Sequence, residues 1–250
     1  MFYGRENERK KLCTMFHSDG QMISLIYGRR RIGKSELIKQ VLKETDIKSV
    51  YYECKQTTEQ NNVDSLAELI GEAFDFPKPA FENMEDLLCF LFQKSEKEPM
   101  ILVLDEYPYL RENSKGLDSV LQSVIDHYKD TSNMKLIVCG SYVDTMKALL
   151  ERQNPLYGRI DLTLNLKPMD YYDSALFYPE FSEEDKVRLF SVFGGIPYYN
   201  RLIDAKKSVR ENIIELIASS GARLENEVAM YLNSEISKIT RVLHLNMFVI

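Results

Sequence analysis

An eight-residue segment near the start of the chain, Gly28–Ser35, constrains the fold more than any other feature. It has the pattern G-x-x-x-x-G-K-S, follows the apolar run 22–27 and precedes the helix-like stretch 36–43. A strand, a loop and a helix in this order are the context that a phosphate-binding P-loop requires. Two glycines let the backbone wrap around a phosphate, and the helix N-terminus presents oriented N–H donors. A glycine-rich surface turn with solvated basic side chains is the alternative, and it does not account for this context.

The side chains of this loop have separate expected roles. Lys34 can reach the β- and γ-phosphates of a nucleotide, and the Ser35 hydroxyl can ligate Mg²⁺. The predicted nucleotide contacts in the loop are Gly28, Arg29, Arg30, Arg31, Ile32, Gly33, Lys34, Ser35 and Glu36. Three consecutive arginines could indicate nucleic acid, but no aromatic-rich basic groove accompanies them. We therefore assign the arginines to the P-loop.

Composition narrows the class of protein. A chain of 250 residues can form one α/β core and a smaller second domain. Its net charge of −6 means that the surface as a whole does not attract nucleic acid. The 4 cysteines are far apart and form no C-x-x-C pair, which indicates neither a zinc site nor a disulfide framework. Without a signal pattern or a membrane-length apolar run, we expect a cytoplasmic protein with no membrane partner.

Alternating strand-like and helix-like segments predict an α/β fold with a parallel sheet covered on both faces. The predicted strands are 22–27, 48–53, 100–105, 134–139 and 160–166. Apolar residues at helical spacing predict helices at 63–74, 84–92, 116–129 and 143–152. After about residue 168 the strand signals stop, and helices are predicted near 170–178, 183–193, 197–204, 208–219 and 223–241. We therefore predict an α/β core over residues 1–167 and a small helical lid domain over residues 168–250.

Two acidic residues, Asp105 and Glu106, end the apolar run that begins at Met100. A buried parallel strand has a continuous apolar sequence, and its carboxyl end faces the ligand crevice. Asp105 is therefore placed to hold Mg²⁺, usually through a water. Glu106 can orient and deprotonate the water that attacks the γ-phosphate. The alternative is an acidic helix N-cap without a catalytic role.

Two further candidates lie beside the later strands. Ser141 ends the apolar run 135–140, and its hydroxyl can bond the γ-phosphate or the attacking water. It can equally cap the next helix, and the sequence favours neither interpretation. Arg159 precedes the fifth strand and can neutralise charge on a phosphoryl group bound by its own chain or by a neighbour. From its position alone, a surface arginine in a turn is the better interpretation.

Six segments together resemble an archaeal-type P-loop ATPase, of the signal-transducing STAND branch near the AAA+ and origin-recognition ATPases. They are the N-terminal box Phe2–Glu8, the arginine-rich P-loop, the Walker B segment Leu104–Leu110, the sensor-1 end Cys139–Ser141, the L-Y-G-R segment Leu156–Arg159 and the lid turn Phe193–Tyr199. The resemblance covers roughly residues 1–240. The segments follow the order of the family, which is more specific than any one motif.

The resemblance implies a P-loop NTPase parallel sheet of the additional-strand type, followed by a helical lid, with ATP and Mg²⁺ as cofactors. It implies that Gly4 and Arg5 of the N-terminal box pack near the adenine and that Pro197 of the lid turn approaches the base. It also makes Arg159 a favoured candidate for hydrolysis. The predicted catalytic residues are Lys34, Glu106, Ser141 and Arg159, and the predicted metal ligands are Ser35 and Asp105.

Relatives of this kind continue into a winged-helix module and often into a nuclease-like domain. This sequence ends at Ile250 after the apolar stretch 243–250, and we expect a truncated C-terminal end. DNA is implied as a partner of longer relatives, but we expect no nuclease activity and only weak DNA binding from this chain alone. We expect self-association, or a protein partner, to cover the apolar end.

Three functional hypotheses follow. The first is an ATP-binding switch that hydrolyses ATP slowly with Mg²⁺ and whose γ-phosphate state sets the lid angle. The second is a nucleotide-bound scaffold that hydrolyses ATP poorly and recruits a partner. The third is a small-molecule kinase, which we disfavour because adjacent acids at a buried strand end suit water activation better.

Overall fold

A computed structural model of the protein describes residues 2–227. The chain divides into two compact units, one ending at Lys167 and the other beginning at Pro168. Most of the predicted helix 223–241 and the whole apolar stretch 243–250 lie outside the described residues. Within the described range, no helix combines the length and apolar character needed to cross a membrane.

Five parallel strands form the sheet of the first unit. They are β1 (Met22–Tyr27), β2 (Lys48–Glu53), β3 (Met100–Asp105), β4 (Met134–Gly140) and β5 (Leu162–Asn165). Their spatial order is β2-β3-β4-β1-β5. Strand β4 lies between β1 and β3, which is the additional strand expected from the resemblance. The predicted α/β fold with a parallel sheet is confirmed, and three of the five strands begin and end at the predicted residues.

Seven helices accompany the sheet in the first unit. They are α1 (Glu6–Phe16), α2 (Lys34–Leu42), α3 (Glu59–Phe74), α4 (Met84–Ser95), α5 (Tyr107–Asn113), α6 (Leu117–His127) and α7 (Val143–Ala148). The side chains of Thr58 and Asn83 cap α3 and α4 by accepting a backbone N–H of the first turn. The prediction for α7 was too long, and α1 and α5 were not predicted.

The hydrophobic core explains why the strands could be located from sequence. Every residue of β3 and β4 is buried, so both strands consist of nearly continuous apolar runs. Strand β2 lies at the sheet edge, and its buried residues alternate with more exposed ones.

All four cysteines are free thiols, and two of them, Cys54 and Cys139, are buried.

The described part of the second unit is helical. Its helices are α8 (Tyr171–Ala175), α9 (Glu183–Phe193), α10 (Pro197–Asn200) and α11 (Val209–Ile213), and a π-helical segment, Ile214–Ala218, continues from α11. Tyr178, Leu189, Phe193 and Leu224 form its buried core. A Cβ on Gly195 would lie 1.8 Å from the Met169 carbonyl oxygen, so the turn before α10 requires glycine.

Candidate functional site

The P-loop connects β1 to α2 at the carboxyl end of the sheet. A Cβ on Gly28 would lie 2.6 Å from the carbonyl oxygen of Leu166, so the loop can pass this close to the end of β5 only with glycine. Gly33 is the N-cap of α2 and has a φ of 90°, a conformation that favours glycine. The first N–H groups of α2 have no intrahelical partners and are available to an anion.

Lys34 is a buried cation held against its own loop. Its side chain is 5% exposed, and its ammonium donates to the carbonyl oxygens of Gly28 at 3.0 Å and Arg29 at 3.3 Å. Among the described residues, no carboxylate forms an ion pair with Lys34. A buried cation with only neutral partners is costly unless it serves an anionic ligand, so this arrangement favours a phosphate-binding role.

Ser35 and Asp105, the two predicted metal ligands, are brought together. Asp105 is 2% exposed, and its Oδ2 accepts a hydrogen bond from the Ser35 hydroxyl at 2.6 Å. A hydroxyl beside a carboxylate is a donor set that fits Mg²⁺, which typically takes one or two carboxylates together with phosphates and waters. Across residues 2–227, no group of three or more His, Cys, Asp or Glu side chains could hold a metal. A Mg²⁺ ion here would therefore need phosphate and water as its remaining ligands.

A residue that the sequence did not single out, Tyr51, contacts the same carboxylate. Its hydroxyl donates to Oδ2 of Asp105. Burial, and then the charge of Asp105, raise the pKa of Tyr51 well above its ordinary value, so the phenol remains protonated and remains a donor. The contact becomes visible only in the fold, where β2 pairs with β3 and Tyr51 lies beside the strand that ends at Asp105.

Glu106 and Ser141, two of the predicted catalytic residues, contact each other directly. One carboxylate oxygen, Oε2 of Glu106, accepts from the Ser141 hydroxyl at 2.9 Å and from the Ser141 N–H at 3.1 Å. The N-cap of α7 is Tyr142, so Ser141 does not cap that helix and this alternative was wrong. Glu106 does occupy the N-cap position of α5, with a φ of 52°, but its side chain makes no capping hydrogen bond.

The predicted adenine contacts of the N-terminal box lie behind the P-loop. Arg5 is 6% exposed and donates to the carbonyl oxygens of Ile32 at 3.2 Å and Lys167 at 2.6 Å. It also pairs with Glu8 at 3.2 Å. Its guanidinium therefore links the P-loop to the segment that follows β5. The proximity of Gly4 and Arg5 to an adenine stays a prediction.

The remaining predicted contacts differ in their surroundings. Arg30 donates to the Tyr109 hydroxyl at 3.1 Å, and its guanidinium lies 5.8 Å from the ring centre of Tyr142. Ile32 is fully buried, so it can offer a ligand only backbone atoms. Arg29 is partly buried, whereas Arg31 and Glu36 are exposed. Pro197 is the first residue of α10 in the second unit, and its predicted contact with the base stays a prediction.

A buried hydrogen-bond network that the sequence did not predict begins at Tyr107, the residue after Glu106. Asp118, near the start of α6, accepts from the Tyr107 hydroxyl at 2.7 Å, from Arg111 Nε at 2.9 Å and from the Asn154 amide at 2.8 Å. Tyr107 is fully buried, and burial followed by the charge of Asp118 raises its pKa. The network therefore fixes α5, which begins next to Glu106, onto α6 and onto the segment that leads to Arg159.

Arg159 does not join the other candidates. Its Nε and Nη2 each donate to the carboxylate of Asp126 at 2.7 Å, and Asp126 lies at the end of α6. The nearby Asp161 N–H bonds the carbonyl of Ile23, at the beginning of β1, whereas the P-loop follows the end of that strand. Six residues of strand span about 20 Å. Arg159 therefore lies near the amino ends of the strands, whereas the P-loop lies at their carboxyl ends. It is not part of the P-loop site of its own chain.

The additional-strand sheet, the glycine-dependent loop and the group formed by the buried Lys34 and Asp105 with Ser35 together define a P-loop ATPase fold. The sequence profile of the ATPase domain predominantly from Archaea matches residues 2–203. The chain belongs to this family, which confirms the resemblance to an archaeal-type P-loop ATPase.

Two proteins of Methanocaldococcus jannaschii are similar to parts of this chain. An uncharacterised protein of Methanocaldococcus jannaschii is 30% identical over 200 residues, which cover 80% of this chain and 43% of the relative. The chain thus spans less than half the length of that relative. A second uncharacterised protein of the same organism is 31% identical over 68 residues, which cover 26% of this chain and 66% of the relative.

Similar solved structures agree on the fold. A Walker-type ATPase of Pyrococcus abyssi has a TM-score of 0.64 and 20% identity, and the match covers 96% of this chain and 76% of that one. The ORC2 protein of Aeropyrum pernix, solved as ADPNP and ADP complexes, has a TM-score of 0.58 and 16% identity, with 92% and 63% covered. Cdc6p of Pyrobaculum aerophilum has a TM-score of 0.54 and 15% identity, with 83% and 57% covered.

Proposed function

We propose that this chain binds ATP with Mg²⁺, hydrolyses it slowly and uses the state of the γ-phosphate as a conformational switch. The observation that carries the proposal is the hydrogen bond of 2.6 Å between Ser35 and Asp105, beside a buried Lys34 that pairs with no carboxylate of residues 2–227. These three side chains supply the cation, hydroxyl and carboxylate that a nucleoside triphosphate site needs. Membership of an ATPase family supports the same chemistry.

Phosphate binding would use the loop and the start of α2. The N–H groups at the start of α2 offer hydrogen bonds to phosphate oxygens, and their dipoles favour negative charge. Lys34 would exchange its two carbonyl partners for β- and γ-phosphate oxygens. Mg²⁺, held through Ser35 and Asp105, would neutralise charge that develops on the phosphates.

Hydrolysis would depend on Glu106 and Ser141. Glu106 is the base that orients the attacking water, and Ser141 positions its carboxylate. The Ser141 hydroxyl has one proton, so it cannot donate to Glu106 and to a γ-phosphate at once. We infer that the Ser141 hydroxyl can donate its hydrogen bond to a γ-phosphate instead of to Glu106. Glu106 would then keep only the hydrogen bond from the Ser141 N–H.

Slow turnover follows from the position of Arg159. The bidentate contact with Asp126 keeps its guanidinium near the amino ends of the strands, away from the P-loop at their carboxyl ends. A single copy therefore cannot use this charge on its own nucleotide. We propose that Arg159 acts on the nucleotide of a neighbouring copy. We also propose that the second unit is a lid that responds to the γ-phosphate and that the protein works in the cytoplasm.

The same position of Arg159 favours one competing function, a nucleotide-bound scaffold that hydrolyses ATP poorly. Phosphate release by the purified chain, measured over a wide range of protein concentration, separates the two functions. A switch whose Arg159 acts between copies gives turnover per chain that rises with concentration. A scaffold binds ATP but shows no turnover at any concentration. Release of ADP that requires an added acceptor, without free phosphate, would instead indicate the kinase hypothesis.

A further inference from the structure

The carboxylate that we assign to Mg²⁺ is held by three hydrogen bonds from three segments of the chain. Oδ2 of Asp105 accepts from the Ser35 hydroxyl at 2.6 Å and from the Tyr51 hydroxyl. Oδ1 accepts from the Glu106 N–H at 3.0 Å. Ser35 and Glu106 belong to the P-loop helix and to the acidic pair, but Tyr51 belongs to β2 and has no role in the site proposed so far.

The strand geometry explains how Tyr51 reaches the site. Successive side chains of a strand point to opposite faces of the sheet. On one face, Tyr52 donates to the amide oxygen of Asn62 on α3 at 2.5 Å. On the other face, Tyr51 meets Asp105 and α2, where the Lys39 ammonium lies 4.9 Å from the centre of its ring. The ring of Tyr51 is therefore held between α2 and the end of β3.

We propose that Tyr51 is a positioning residue for Mg²⁺, because its hydroxyl fixes the orientation in which the Asp105 carboxylate faces the metal and its waters. The Ser35 oxygen can ligate a metal through a lone pair while its hydroxyl still donates to Asp105. Ser35 would then also be a metal ligand, whereas Tyr51 and the Glu106 N–H would contact only the carboxylate and restrain its rotation. Partners that orient a metal-binding group from behind typically contribute about 10- to 100-fold to metal affinity. The inference rests on the proposed Mg²⁺–ATP binding and adds a residue to it.

The chain provides a matched control for the test. Tyr51→Phe and Tyr52→Phe remove the same atom from adjacent residues of the same strand, but only the first loses a contact with Asp105. After Tyr52→Phe, the Asn62 amide oxygen still accepts from the Lys55 N–H at 2.9 Å, so the control loses little. Thermal unfolding of each variant without nucleotide would verify that both fold.

The measurement is calorimetric binding of a non-hydrolysable ATP analogue to the full chain, in EDTA and over a series of Mg²⁺ concentrations. We expect Tyr51→Phe to bind as the parent does in EDTA but to need about 10- to 100-fold more Mg²⁺ for half of the metal-dependent gain in affinity. Tyr52→Phe should follow the parent at every concentration. Electron paramagnetic resonance of Mn²⁺ bound with the analogue gives a second readout, in which Tyr51→Phe should show weaker metal binding.

Three contrary results have different meanings. If Tyr51→Phe shows the Mg²⁺ dependence of the parent, or needs less Mg²⁺, the inference about Tyr51 is overturned while the proposed function stands. If the parent itself shows no Mg²⁺-dependent nucleotide binding, the proposed function is overturned and the inference falls with it. If Tyr51→Phe and Tyr52→Phe raise the required Mg²⁺ concentration equally, the inference about Tyr51 is overturned as well. A general effect on β2 would then explain the change in both variants.

Discussion

The hydroxyl and the backbone N–H of Ser141 both donate to one carboxylate oxygen of Glu106, at 2.9 and 3.1 Å. The contact joins the end of β4 to the residue that follows β3, so two neighbouring strands fix one acidic side chain. A general base is useful only where its carboxylate is held within reach of the water that it activates. The pair therefore identifies Glu106 as the residue whose loss should affect hydrolysis most selectively.

We expect Glu106→Gln to retain ATP binding and to lose about 10²- to 10⁴-fold in turnover, the usual effect of losing a general base. The amide is nearly isosteric and can still accept a bond from Ser141, but it is a very poor base. Glu112→Gln makes the same change at an exposed position of α5 and should leave turnover unchanged. Binding by calorimetry and phosphate release measured on the same samples provide the comparison. Turnover of Glu106→Gln at the parental rate would assign Glu106 a structural role.

The ion pair between Arg159 and Asp126 provides a test of the role of the arginine. Asp126→Ala and Arg159→Ala break the same pair, whose side chains are 46% and 27% exposed, so each should cost at most about 1 kcal/mol of stability. Only Arg159→Ala also removes a charge that could act on the phosphates of a neighbouring copy. We therefore expect Arg159→Ala to lower kcat more than ATP affinity, and Asp126→Ala to preserve kcat or raise it.

Turnover of both variants across protein concentration measures this difference. The concentration dependence of the parent should persist in Asp126→Ala and disappear in Arg159→Ala. Equal losses of kcat in the two variants would show that the ion pair matters only for the shape of the segment that contains Arg159.

The network around Asp118 leads to a prediction about stability. Asp118→Asn disturbs three hydrogen bonds, one of them with Arg111, and should lower the free energy of unfolding by about 1–3 kcal/mol. Tyr107→Phe removes one of these bonds and should cost about 1 kcal/mol. Asp126→Asn, at the exposed end of the same helix, serves as the control and should cost less than Asp118→Asn. Urea unfolding measures all three, and a cost for Asp126→Asn as large as that for Asp118→Asn would contradict the account.

The strands could be predicted from the sequence because most of them are buried runs of apolar residues. The limits of β1, β2 and β3 were predicted correctly, since each run ends at a polar residue or at the P-loop. Helix α5 escaped prediction because its 7 residues, Tyr107–Asn113, are too few to show an apolar pattern at helical spacing. Short helices of this kind are set by the packing of their neighbours more than by local propensity.

The candidate site was only partly predictable for a related reason. Lys34, Ser35 and Asp105 belong to motifs whose spacing carries the chemistry, so their meeting could be expected. The contact of Tyr51 with Asp105 joins residues 54 positions apart, and nothing in the local sequence marks it. The position of Arg159 could have been derived from the sequence. A residue that precedes a parallel strand must lie at the amino ends of the strands, and the P-loop lies at their carboxyl ends. That step requires only a parallel sheet, which the alternating strand-like and helix-like segments predict.

The most direct test of the central claim is calorimetric titration of ATP with Mg²⁺ into the parent chain and into Lys34→Ala. The variant removes the one buried cation of the P-loop, and hydrogen bonds to charged groups contribute about 1.5–3 kcal/mol each, so we predict a loss of about 100-fold or more in affinity. Lys43→Ala, at an exposed lysine that ends the same helix, should bind as the parent does. Unchanged affinity in Lys34→Ala would contradict the assignment of a nucleotide site to this loop.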